Sequence, residues 1–110
     1  MNMTKIKDYA EGVFEECLEI LESKSKDYAT EQDPLFNFRG SVFAGVEPER
    51  ALLVRVLDKM QRIRNFLDKG ELATKGEGVN DSIYDIINYM VLLKALIADS
   101  IVQDSKGDLK

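Results

Sequence analysis

Between Ile86 and Ile101 the chain is apolar on nearly every side of a helical wheel, and this run limits the possible folds more than any other stretch. A helix hydrophobic all round must be covered on more than one side, which places it in the middle of a bundle or at a subunit interface. The run opens on Asp81-Ser-Ile-Tyr-Asp-Ile-Ile-Asn-Tyr89. Positions i, i+4 and i+7 share a helical face, so Asp81, Asp85 and Asn88 project together while Ile83, Ile87 and Met90 point elsewhere. Carboxylates in that register repel one another unless a divalent cation or a basic side chain neutralises them.

Two further periodic segments precede it. Thr4 is placed to cap a helix that continues through Ile6, Ala10, Val13, Cys17 and Ile20 to about Lys26. Its other face carries Glu11, Glu15, Glu16, Glu19 and Glu22. This is either a solvated acidic face or, for Glu16 and Glu19, a pair three residues apart able to share a cation. Pro34 disfavours helix at Asp33, and Phe36, Phe38 and Phe43 among Asn37, Arg39, Gly40 and Gly45 suggest an ordered loop or short helix against the bundle. Pro48 suits the first position of a second helix, in which Leu53, Val56, Leu57, Met60, Ile63 and Leu67 recur until Gly70. Its polar face stacks Arg55, Asp58, Lys59 and Arg62, either a surface salt-bridge ladder or part of a site. After a Gly- and Lys-containing connection, Asn80 or Asp81 is placed to cap the third helix, with a polar tail from Gln103 to Lys110 expected to fray.

These patterns predict one all-α domain of 110 residues: three main helices plus a short helix or ordered loop. Three helices with broad apolar faces are few to enclose a core, so completion by a homodimer or higher homo-oligomer is expected. The single cysteine excludes an intrachain disulfide and points to a reducing, cytoplasmic setting. With no histidine present, serine and cysteine triads and imidazole ligands are excluded, and any metal must be held by oxygen, which favours Mg2+ or Mn2+. A net charge of -5 argues against a nucleic-acid polymer as partner but leaves room for a small anion in a local basic pocket. No apolar run approaches the roughly 20 residues a bilayer span requires, and no membrane partner is expected.

Four pieces in order carry a resemblance: Lys26-Asp27-Tyr28, Asn37-Phe38, Asp58-Lys59 with Arg62, and Asp81-Ser82 with Asp85, Asn88 and Tyr89. From about Lys24 to Leu96 the chain resembles the phage-associated nucleotide modification associated domain family. That family is similar to the all-α nucleoside triphosphate pyrophosphatases of MazG and dimeric dUTPase type. The resemblance implies a nucleotide pocket between helices, with acids holding magnesium against the phosphates. It assigns Asp58, Asp81 and Asp85 to the metal, with Asp58 and Asp85 catalytic and Glu16 and Glu19 as further candidate ligands. Lys26, Lys59 and Arg62 would meet phosphate oxygens, and Tyr28, Asn37, Asn88 and Tyr89 would shape the pocket. Asp81 stands where the family commonly has glutamate. Hydrolysis of a nucleoside triphosphate to the monophosphate is the expected activity. The alternatives are a nucleotide-binding protein without turnover that sequesters a signalling nucleotide, and a helical oligomerisation module. On this reading Asp85→Asn abolishes turnover and leaves the fold intact.

Overall fold

The computed structural model describes residues 1–28, 45–70 and 78–108, apart from the side chains of residues 25–28 and 100–108. These residues form three helices, α1 (Met3–Tyr28), α2 (Pro48–Lys69) and α3 (Val79–Asp108), and no strand. The all-α class follows the hydrophobic periodicity. The expected loop or short helix between Leu35 and Pro48 lies largely outside the described residues.

Local chemistry sets the helix ends. Pro48 occupies the start of α2, where its missing N–H would have had no partner. Gly70 ends that helix in the left-handed region, with φ 76°, and its N–H donates to the Phe66 carbonyl at 2.7 Å. At the start of α3 the outcome differs from the expected Asn80 or Asp81 cap. The helix begins at Val79, and Asp81 Oδ2 accepts the Gly78 N–H at 3.2 Å. That is the backward-reaching half of a capping box, with the acid at the third helical position. At the far end α3 continues through the polar tail to Asp108, because nothing in Gln103-Asp-Ser-Lys106 breaks a helix.

The middle position belongs to α3. It packs along α2 and, over a shorter stretch, along α1, while α1 and α2 make little contact with each other. Burial on two sides explains why its sequence is apolar nearly all round. The described core is small: Cys17 from α1, Leu52 and Val56 from α2, and Leu96 from α3. The inward stripe of α2 therefore runs through Leu52, Val56, Lys59, Ile63 and Phe66. Leu53, Leu57, Met60 and Leu67, four of the residues that defined the expected apolar face, are exposed. The two strips lie about 100° apart, one residue's rotation, and both are apolar enough to have been the inner one. No helix among the described residues is long and apolar enough to cross a membrane.

Candidate functional site

Toward its N-terminal end the inward stripe of α3 is polar. Ser82, Asp85 and Asn88, three residues apart along one face, are all buried. Burying a carboxylate is costly unless it is paired, and Asp85 is paired twice. Lys24 Nζ from α1 donates to Oδ1 at 2.8 Å, and Lys59 Nζ from α2 lies 2.9 Å from Oδ2. One carboxylate of the middle helix thus gathers an ammonium from each flanking helix. Burial pushes the Asp85 carboxyl upward, but the hydrogen bonds and charges of Lys24 and Lys59 outweigh it and hold the group below the usual carboxylate range. Of the two ways to neutralise this acidic face, the fold uses basic side chains.

Each lysine arrives for a reason written in its helix. Lys59 follows Leu52 and Val56 on the inward stripe of α2, and Lys24 follows Val13, Cys17 and Ile20 on that of α1. A long aliphatic stem lies along apolar neighbours while the head group reaches its acid. Lys59 keeps 18% of its side chain exposed and Lys24 46%. The cluster is therefore open on at least one side.

Around this cluster α1 and α3 meet in polar contact. Asn88 Nδ2 donates to the Cys17 carbonyl at 2.9 Å within the buried interface. Glu16 also lies beside Tyr84, and its hydrogen-bonding influence and charge push the phenol up to about 12. Burial, then the nearby charges of Glu16 and Asp85, push the Cys17 thiol up as well. Glu16 and Asp85 therefore both lie near one thiol on the α1–α3 seam.

The other expected site residues are distributed as follows. Asp58 is mostly exposed and pairs along its own helix with Arg62 at 3.6 Å. Arg62 sits one turn beyond Lys59, near the same edge of α2. Asp81 is exposed and occupied at the start of α3, so it does not stack on Asp85 as the shared-face spacing suggested. Glu19 is exposed, and Tyr89 is half-buried. The side chains of Lys26 and Tyr28, and the whole of Asn37, lie outside the described residues. Lys24, Ser82 and Tyr84 carry parts of the site that the motif pieces did not assign.

The donor set can be tested against a divalent cation. Magnesium demands near-octahedral oxygen geometry and is commonly held through carboxylates. Here both Asp85 oxygens face ammonium groups, Asp81 Oδ2 serves the Gly78 amide, and Asp58 faces Arg62. Among the described residues no three metal-ligating side chains come together. Asp58, Asp81 and Asp85 are thus each engaged by a donor of the protein itself. Lys24 and Lys59 bring two cationic groups to the same carboxylate, with Lys24 46% exposed.

No family model, no curated protein and no solved structure matches this chain.

Proposed function

We propose that the chain binds a nucleotide through its phosphates, at the place where Lys24 and Lys59 converge on Asp85. The observation that supports this reading is the buried, doubly paired carboxylate. Asp85 holds two ammonium groups from different helices at 2.8 and 2.9 Å. Ammonium groups fixed in this way are prepared donors for phosphate oxygens, because their placement does not have to be organised when the ligand arrives. The resemblance of the motif pieces to a nucleotide-acting family points to the same ligand class, in the cytoplasm of a bacterium or a phage-infected cell.

Thermal melting of the pure protein against each nucleoside triphosphate and representative signalling nucleotides tests the proposal. A ligand binding only the folded state stabilises it by about 2.7 kcal/mol at a hundredfold excess over Kd, a shift of several degrees for a domain of this size. Arg62→Ala is expected to weaken that shift with little change in the unliganded melting temperature. No shift with any nucleotide removes the proposal.

A second reading, magnesium-dependent pyrophosphohydrolysis, is favoured by one observation. Glu16 lies beside Tyr84, the residue before Asp85, and both acids lie near Cys17, so acids from α1 and α3 share a seam. Release of pyrophosphate from a triphosphate in the presence of Mg2+ is its test. A protein that shifts with nucleotide but releases none is a binder without turnover.

A further inference from the structure

We propose that phosphate binding at this site is independent of divalent metal, with Lys59 in the place a cation would take between Asp85 and the phosphoryl group. The inference rests on the nucleotide-binding reading above and concerns how that site meets its ligand.

Lys59 carries three N–H donors and is 2.9 Å from Asp85 Oδ2, its single partner among the described residues. Two donors therefore remain on a side chain that is 18% exposed. A magnesium ion entering beside Asp85 would have to separate that carboxylate from two ammonium groups and lose water it releases reluctantly. Asp58 and Asp81, the other two carboxylates the motif pieces assign, are held by Arg62 and by the Gly78 amide. Ser82 adds an independent feature. It is 3% exposed, lies one turn from Asp85 on the same face of α3, and makes no hydrogen bond among the described residues. A buried hydroxyl without a partner carries an unmet donor, and a phosphate oxygen would meet it. Asp85 is then a positioning residue that orients Lys59, while Lys59 and Ser82 contact the anion.

The test is isothermal titration with ATP and with inorganic tripolyphosphate, each in excess EDTA and again in excess Mg2+. The expected result is a Kd in EDTA equal to or tighter than that in Mg2+, because magnesium neutralises part of the charge the lysines recognise. Lys59→Met is expected to weaken binding tenfold or more, Lys59→Arg to retain most of it, and Ser82→Ala to weaken it severalfold with unchanged melting. Binding that appears only with Mg2+ overturns this inference and leaves the nucleotide-binding reading standing. No binding in either buffer removes both. Unchanged affinity in a folded Lys59→Met protein overturns the role of Lys59. Should that variant not fold, the EDTA comparison on the unaltered chain and the Ser82→Ala titration decide.

Discussion

Two opposing effects act on the carboxyl of Asp85: burial, which favours the protonated form, and two ammonium partners, which favour the ionised one. The partners prevail, so its folded pKa lies below the value of about 3.9 found in an unfolded chain. Between those two values the unfolded state binds the proton and the folded state does not, so stability falls as pH drops through that interval. The contribution is fully present above the unfolded value. Asp85→Asn removes this linkage and leaves two ammonium groups around a neutral amide. It is expected to cost about 2 kcal/mol at pH 7. The expectation drawn from the sequence, that this change spares the fold, assumed an exposed polar face, whereas Asp85 is buried at the contact of three helices. Urea denaturation of both proteins at pH 7 and pH 3 measures the effect. The gap between them should narrow at pH 3, and a gap of constant size would mean that folding does not lower the Asp85 pKa.

At the scale of elements, the ends of α2 were readable because proline and glycine act locally. Gly70→Ala keeps open space around the new methyl but forces a side chain into φ 76°, so it should destabilise by about 1 kcal/mol with no effect on ligand binding. Thermal melting measures the cost, and a neutral outcome would show that α2 ends elsewhere in solution. The start of α3 was harder to read, because Gly78-x-x-Asp81 caps as well as Asn80 or Asp81 could, and only the backbone path decides. Asp81→Asn accordingly tests a division of labour. It should lower the melting temperature slightly, as loss of a helix-start acid does, and leave nucleotide affinity unchanged. A large loss of affinity would instead assign Asp81 to the ligand. The ion-paired cluster at Asp85 was half readable. Asp85 and Lys59 stand out as charges within a motif, and Lys59 also falls on an inward stripe. Lys24, however, meets Asp85 across 61 residues of sequence, a pairing no local spacing encodes. The side of α2 that faces inward was equally hidden, since two apolar strips compete and only packing against α3 selects Leu52 and Val56.

For the whole molecule, the consequence of a shared middle helix is surface left over on the outer two. Phe14 and Leu18 on α1 are 61% and 55% exposed, and Leu57 and Leu67 on α2 are 63% and 75% exposed. Along the middle of α3, Met90, Leu93, Lys94, Ile97 and Ala98 line a shallow, largely apolar depression. The Cα radius of gyration is 16.7 Å, whereas a compact chain near this length has about 13 Å. Apolar area left open in this way is costly in water and marks association surfaces. With acids and bases interspersed along α2, two copies can approach without net repulsion at the contact, and closed twofold pairing is the commonest solution. Light scattering after size exclusion is therefore expected to give a mass of twice 12.5 kDa. Leu57→Glu should return it to a single chain. Because Leu57 lies on a different strip of α2 from Lys59, the monomeric Leu57→Glu variant should still bind nucleotide if each site is built within one subunit. Loss of binding together with the dimer would mean that a second copy completes the site. A wild-type chain that stays monomeric across a wide range of concentrations would leave the exposed strips to a partner of another kind.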